Sequence, residues 1–273
     1  MTLKIIKKIS NSILKRLLKY ILLKNNFAKN YNKIKVKGYI SKPEVYIKHY
    51  LAQIENEKFI IAVGISKLQK KKLKNAVSNE NEIEKIYEKY FKFNKVLKYG
   101  SFLYFDYAIY KYIENLQVFS NEQDFNYALN CAIKIYNKAS YFEINENNVD
   151  DFIINNCKII IPYTDLSFIE TKLYQDLKNE LLKIKNIKCA AQHGDYNLLN
   201  MHKKDNKYLF DLERTMPNMI ASYDWYHLLR CKNGWYNQEI SNEMREVPYF
   251  SIIELFLKII DEQRNKNINL KTV

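Results

Sequence analysis

Glycine and proline are scarce in this sequence, which contains five Gly and four Pro in 273 residues. Flexible linkers and low-complexity arms are rich in these residues, so their scarcity argues against both. The chain also lacks an internal repeat with a period of about 20 to 50 residues, which argues against a solenoid or a propeller. With 47% hydrophobic residues, it can bury a sizeable core, and any two lobes should meet through a short hinge.

Cysteine is also infrequent, and its spacing excludes two kinds of site. The four cysteines are Cys131, Cys157, Cys189 and Cys231, with no C-x-x-C pair and no Cys/His pair at zinc-ligand spacing. Neither a zinc site nor a disulfide framework is therefore expected. Because buried thiols in a reducing compartment fit this pattern, we expect a cytoplasmic protein.

Acidic residues are absent from residues 1–43, which carry eleven Lys and one Arg. This segment therefore holds +12 of the formal net charge of +14, and the rest of the chain is nearly neutral. The net charge of the whole chain consequently says little about partners. Residues 70–74 form a second lysine-rich run, but no RNA-binding aromatic motif accompanies it, and we expect no nucleic-acid partner.

The N-terminal segment also lacks a long hydrophobic run, since its longest uncharged apolar stretch is residues 20–23. It is too polar for a transmembrane helix or a signal peptide. Its apolar residues recur at helical spacing with lysines on the other side, which predicts a basic amphipathic helix. The apolar stripe consists of Ile6, Ile9, Ile13, Leu17 and Tyr20, flanked by Leu14, Leu18 and Ile21. Two interpretations stay open: residues 1–26 make peripheral contact with an anionic membrane, or the helix docks on the protein's own body.

The hydrophobic period changes along the rest of the chain. Residues 33–116 follow mostly the period of strands, interrupted by one helical stretch near residues 75–91. From about residue 120 the period is helical, with short strands among the helices. We therefore predict an α+β protein with a small antiparallel-sheet lobe, one helix packed on it, and a larger, mainly helical lobe. The predicted domains are residues 1–32 (N-terminal helix), 33–116 (sheet lobe) and 117–273 (helical lobe).

Polar residues interrupt the apolar segments of residues 190–215, AAQHGDYNLLNMHKKDNKYLFDLERT. A strand ends before Asp195, and two more strands follow, joined at Asp205-Asn206, a pair suited to a two-residue hairpin turn. In the register that this turn sets, Asn200 faces Asp211 directly across the hairpin.

Oxygen ligands of this kind suit a hard divalent cation such as Mg²⁺, so Asn200 and Asp211 are candidate ligands. Glu213 points to the same face as Asp211 and is a candidate for a second ion or for ordering its water shell. Asp195 lies in a loop, where it can reach a substrate hydroxyl as a catalytic base. Each residue alone fits an ordinary polar loop. Together they match the spacing of base and metal ligands in the kinase template.

The segments HGDYNLLN, FDLE and SYDWYHLL together resemble the aminoglycoside phosphotransferase and choline kinase superfamily, whose fold is protein kinase-like. The bacterial members associated with surface polysaccharides are the most similar. The resemblance extends over about residues 33 to 260, although its specific part is only about residues 190 to 230. It implies ATP and Mg²⁺ as cofactors and Asp195 as the catalytic residue. It further implies that His193 braces the catalytic loop and that Asp224 supports it, while His227 is expected to be a packed core histidine.

Two features depart from that family pattern. The family's third strand carries a phosphate-contacting lysine, but the alignment of FIIAVGIS places Ala62 there. Lys48, on the neighbouring strand, is the candidate replacement and Glu80 the candidate helix partner; a solvated strand residue is the alternative for Lys48. The family's glycine-rich loop is also missing, since Gly38 stands alone in KVKGYISK.

These observations predict an ATP-dependent kinase that phosphorylates a hydroxyl, on a cell-surface glycan or a lipid-linked sugar. Its expected partners are a nucleotide and a carbohydrate acceptor, and its expected location is the cytoplasm, peripheral on the inner face of the membrane. Two alternatives remain. One is a pseudokinase-type protein that binds a nucleotide or a partner, and the other is an aminoglycoside kinase.

Overall fold

A computed structural model gives the structure of residues 11–38, 47–160, 166–232 and 240–269. Within these ranges the chain divides into two compact units. Described residues of the first unit fall within 1–77 and 94–115, and those of the second within 78–93 and 116–273. Among these described residues, no helix combines the length and the apolar character needed to cross a bilayer.

The first unit is built on a five-stranded antiparallel sheet in the order β1-β2-β3-β5-β4. Its strands are β1 (Ile34–Gly38), β2 (Lys48–Ile54), β3 (Glu57–Gly64), β4 (Val96–Phe102) and β5 (Phe105–Lys111). The central strand β3 reads FIIAV because it is buried on both faces, which removes the usual alternation of apolar and polar residues.

Helix α1 (Asn11–Lys24) covers one face of this sheet. Leu14, Leu18, Ile21 and Leu22 are buried there, among strand residues of the same cluster. At the end of the helix, the Asn25 side chain donates a hydrogen bond to the Tyr107 hydroxyl (3.1 Å). Residues 11–24 of the N-terminal helix therefore dock on their own unit through the flank of the predicted stripe, while Ile13 and Tyr20 of the stripe itself are exposed. Residues 1–10 of the predicted helix lie outside the described residues.

Helix α2 (Lys67–Ser78) covers the opposite face through Leu73 and Val77. It begins with a reciprocal capping box. The Ser66 hydroxyl accepts from the Gln69 N–H (3.2 Å), and the Gln69 side chain accepts from the Ser66 N–H (3.1 Å). Such a pair satisfies backbone donors that the first helical turn leaves without partners.

The second unit is mainly helical. Its helices are α3 (Glu80–Tyr87), α4 (Glu122–Lys138), α5 (Val149–Ile160), α6 (Lys172–Ile184), α7 (Tyr223–Lys232), α8 (Asn242–Arg245) and α9 (Phe250–Asn269). Its strands are β6 (Gln117–Val118), β7 (Ser140–Glu143), β8 (Asn186–Gln192), β9 (Met201–Lys203), β10 (Lys207–Leu209) and β11 (Met216–Ile220). They form two three-stranded sheets, β10-β9-β6 and β11-β8-β7.

The predicted α+β fold class, with a small antiparallel sheet and a larger helical part, is confirmed. One detail differs, because the single helix expected near residues 75–91 is two helices, α2 and α3, separated at Asn79. Helix α3, which the sequence-based boundary assigned to the sheet lobe, groups with the second unit. Its Ile83 and Tyr87 are buried in the core of that unit.

Candidate active site

The loop that follows β8 is held in place by Asp224, the second residue of α7. The backbone N–H groups of His193 and Gly194 donate to its two carboxylate oxygens, at 2.6 and 3.0 Å. The Tyr87 hydroxyl of α3 donates to the same carboxylate. Burial raises the pKa of Asp224, and these hydrogen bonds oppose the shift. Three donors on one buried carboxylate make the loop a rigid platform.

His193 connects this loop to the segment that contains Asp211. Its buried ring donates through Nε2 to the carbonyl of Phe210 (2.6 Å) and accepts through Nδ1 from the Asp195 N–H (3.3 Å). A ring that donates at one nitrogen and accepts at the other is a neutral imidazole. His193 thus spans from the loop to the residue directly before Asp211.

Gly194 brings the same two segments into close contact. Its φ is +79°, and a Cβ atom built there would lie 2.2 Å from the carbonyl oxygen of Arg214. No side chain fits at that distance, and the left-handed φ itself favours glycine. The glycine therefore allows the loop and the segment around Arg214 to pack backbone against backbone.

The Asp195 carboxylate lies among donors and a cation. Its Oδ1 accepts from Asn197 Nδ2 (3.1 Å) and lies 3.4 Å from Arg214 Nη1 and 3.6 Å from His227 Nε2. Burial would raise the pKa of Asp195, but the Arg214 guanidinium beside it and the Asn197 hydrogen bond oppose burial, and the pKa is lowered. Asp195 is therefore ionised at neutral pH.

His227 is buried behind this carboxylate. Burial lowers its pKa to about 4, although Asp195 opposes the shift. At neutral pH the ring is therefore uncharged, and Arg214 is the cation that acts on Asp195. The expectation of a packed histidine describes its burial but misses its contact with Asp195.

Asn200 is oriented by the loop. Its Nδ2 donates to the backbone carbonyl of Asp195 (2.9 Å), so its amide oxygen is the atom available to a cation. The hairpin register, however, differs by one residue from the predicted one. Lys203 pairs with Lys207 around a three-residue loop, and the Phe210 N–H donates to the Asn200 carbonyl (2.9 Å).

The predicted pairing of Asn200 directly opposite Asp211 is therefore wrong, because the loop contains one residue more than a two-residue turn. Strand alternation also ends before Asp211. That residue has φ +63° and ψ +60°, a left-handed conformation that directs its side chain out of the strand pattern. Glu213 follows in a one-turn helix, Leu212–Arg214.

Charges converge on Arg214. Burial would lower its pKa, but the carboxylates of Asp195, Asp211 and Glu213 raise it. The structure thus gathers the predicted base and two predicted ligands around a cation that the sequence analysis missed. Two sequence signals could have pointed to the residues around Asp195. Arg214 directly follows the candidate ligand Glu213, and His227 lies three residues after Asp224 on the same face of one helix.

The donor set fits Mg²⁺ by its chemistry, since Asn200, Asp211 and Glu213 all offer oxygen atoms. Across the described parts of the chain, no group of three or more His, Cys, Asp or Glu side chains is arranged to hold a metal. Hard cations of this kind commonly take one or two protein carboxylates and complete their shell with water and phosphate oxygens.

The sheet register decides on which face Lys48 lies. Lys48 pairs with Val63, whereas Ala62 pairs with His49. Directly paired residues share a face, so Lys48 lies on the face covered by α1 and Ala62 on the face covered by α2. Lys48 and a lysine at position 62 would therefore extend from opposite faces of the sheet. The replacement of that lysine by Lys48 stays a prediction. Glu80, the first residue of α3, is buried in the second unit.

Comparison with known proteins identifies the fold. No protein-family model and no curated protein matches the chain. Among solved structures, choline kinase LicA from Streptococcus pneumoniae superposes with a TM-score of 0.54 and 15% identity, covering 92% of this chain and 89% of that chain. A fructosamine-3-kinase, described as putative, from Haemophilus somnus gives 0.58 and 14%, covering 92% and 90%. A thermostable mutant of aminoglycoside phosphotransferase APH(4)-Ia gives 0.58 and 9%, covering 92% and 93%.

The chain therefore shares the fold of these choline kinase, fructosamine kinase and aminoglycoside phosphotransferase structures. This confirms, at the level of the fold, the resemblance inferred from residues 190–230. Other solved structures of these neighbours contain nucleotides. LicA is known in complex with AMP, and APH(4)-Ia in a ternary complex with ADP and hygromycin B.

Proposed function

We propose that the protein is an ATP-dependent phosphotransferase that phosphorylates a hydroxyl group. The observation that carries this proposal is the environment of Asp195, an ionised carboxylate held on a rigid loop five residues before Asn200. Solved structures with the same fold are named as kinases of choline and fructosamine and as an aminoglycoside phosphotransferase, which supports the reaction class.

In the proposed reaction, Asp195 accepts a hydrogen bond from the acceptor hydroxyl and orients its oxygen. Arg214 and Asn197 hold the carboxylate, while Asp224 and His193 hold the loop that carries it. Asn200, Asp211 and Glu213 would hold Mg²⁺, which neutralises phosphate charge when bound. Lys48 and Glu80 remain proposed nucleotide contacts.

The acceptor we propose is a carbohydrate hydroxyl, on a cell-surface glycan or a lipid-linked sugar. The protein would meet it from the cytoplasm, at the inner face of the membrane. Residues 1–26 are the proposed membrane-contacting segment, supported by the absence of acidic residues from residues 1–43. A lysine-rich surface favours a lipid-associated acceptor over a polycationic aminoglycoside, because like charges repel.

A second candidate function is nucleotide binding without catalysis. The observation that favours it is Ala62, which stands where the family pattern places a phosphate-contacting lysine. Measured ATP turnover separates the two candidates, since a pseudokinase would bind ATP and leave it intact.

The test is isothermal titration calorimetry of ATP with and without Mg²⁺. We expect Asp211→Asn and Asn200→Ala to remove the Mg²⁺-dependent part of the affinity. Asp205→Asn, at the exposed hairpin loop, has the same charge change as Asp211→Asn and should have no effect. Unchanged Mg²⁺ dependence in both site variants would contradict the metal assignment.

Slow ATP hydrolysis, with water as the acceptor, tests the catalytic residue before the acceptor is known. Asp195→Asn should retain nucleotide affinity within a few fold and lose hydrolysis, because Asp195 contacts the acceptor and not the phosphates. Full hydrolysis by this variant would show that Asp195 is not the base.

A further inference from the structure

The tip of the β4–β5 hairpin carries an apolar residue, Leu103, that the fold does not bury. Phe102 pairs with Phe105, so the loop consists of only Leu103 and Tyr104. Leu103 is 71% exposed and has φ +53°. Turn chemistry favours Gly, Asn or Asp at a left-handed position in a two-residue loop, and folding favours burial of leucine. Leu103 satisfies neither preference, which points to contact with another molecule.

The hairpin tip adjoins the outward face of α1. The ring of Tyr20 lies 5.6 Å from the ring of Phe102, within the same unit. Tyr20 and Ile13 are each 47% exposed, and their spacing of seven residues places them on one side of the helix. Arg16 and Lys24 are exposed on that side too. The outward face therefore combines apolar and basic side chains.

The segment that contains α1 and β1 carries charge of one sign. Residues 11–38, which include α1 and β1, contain seven Lys, one Arg and no acidic residue. Basic side chains around exposed apolar ones are the pattern of peptides that lie in the headgroup region of anionic bilayers. A protein partner would need an acidic surface with an apolar pocket for Leu103, whereas a bilayer supplies both features over its whole area.

We propose that the hairpin tip and the outward face of α1 form a docking surface for an anionic lipid bilayer. Leu103, Phe102 and Tyr104 enter the interface, and Arg16 and Lys24 contact lipid phosphates. This face includes Ile13 and Tyr20 of the stripe that the sequence pattern selects, whereas the flanking residues Leu14 and Leu18 are buried in the first unit. The hairpin tip and the outward face of α1 are thus the surface by which the proposed kinase would contact the membrane. This contact rests on the proposed function only for the identity of the acceptor.

The experiment is sedimentation of the full chain with vesicles of phosphatidylcholine, alone or mixed with phosphatidylglycerol. We expect binding to the mixed vesicles only, weakened by salt because screening reduces the lysine and arginine contribution. Leu103→Gly is the informative variant, since glycine suits the left-handed φ and leaves the fold intact or more stable. It should lower vesicle partitioning by at least about tenfold, as expected for the loss of one inserted leucine side chain.

Ile184→Asn is the matched control, because Ile184 is an exposed apolar residue (38%) in the second unit. It should bind vesicles like the wild type. Mg²⁺-dependent ATP binding, measured on both variants, should not change, so a failure of the lipid contact is distinguishable from a failure of the kinase assignment. Equal partitioning of Leu103→Gly and wild type would overturn the proposal. So would a wild-type chain that ignores anionic vesicles, or one that self-associates through Leu103 and binds no lipid.

Discussion

Replacing Gly194 by alanine tests the close packing of the catalytic loop against the segment after Asp211. The added Cβ would lie 2.2 Å from the Arg214 carbonyl oxygen and 3.0 Å from its carbonyl carbon. Ordinary contacts of this kind exceed 3.4 Å, so one of the two backbones must move by roughly 1 Å. Both backbones are held by further hydrogen bonds, among them those of His193 and Asp224.

The expected loss of stability has two parts. A residue with a Cβ in the left-handed region costs about 1–2 kcal/mol relative to glycine. Inserting a methyl group into a packed contact costs about 1–3 kcal/mol more. The Gly194→Ala variant should therefore lose roughly 2–5 kcal/mol of unfolding free energy, a large part of the 5–15 kcal/mol typical of a domain.

Urea denaturation, followed by circular dichroism, measures this loss. Gly38→Ala is the control, since a Cβ there would meet its nearest atoms at 3.7 and 3.8 Å, which is ordinary contact. That variant should change stability by less than about 1 kcal/mol, in either direction. The Gly194 variant should also bind ATP with weaker Mg²⁺ dependence, because Asp211 lies in the displaced segment. A Gly194→Ala protein as stable as Gly38→Ala would refute the packing described for this loop.

Two further predictions concern the charges around Asp195. Arg214→Met removes the cation that lowers the pKa of Asp195, so the acidic limb of the pH profile for ATP hydrolysis should move to higher pH; an unmoved limb would contradict the ion pair. The pKa of His227 is lowered by burial from 6.5 to about 4, so the unfolded chain binds more protons in that window and stability should fall as the pH drops through it. His227→Gln should remove up to about 3 kcal/mol of this dependence, measured as unfolding free energy against pH; an unchanged slope would show that His227 titrates normally.

The sequence was informative where the structure depends on neighbouring residues. The segment from His193 to Asp224 was recognised because its spacing is local: a strand, a loop, a hairpin and a helix start follow one another. The exposed turn at Glu55-Asn56 between β2 and β3 was predictable for the same reason. The small sheet and the helical part were also visible, since their hydrophobic periods differ.

Tertiary structure decided what depends on faces and register. The choice between two- and three-residue loops at Asp205 changes the partner of Asn200, because side chains alternate with every residue. The same alternation separates Lys48 from Ala62 across the sheet. For α1, the sequence pattern centres the apolar stripe on Ile13 and Tyr20, but the sheet buries the flanking residues Leu14 and Leu18 instead.

The charge environment of Asp195 also required the folded chain. Arg214 and His227 are 19 and 32 positions away along the sequence, yet each lies within 3.6 Å of its carboxylate. The sequence alone determined that a carboxylate stands at a kinase-like position in a loop. Only the fold decided which cation faces it and that the neighbouring histidine is neutral, because burial and distance, not residue type, set those pKa values.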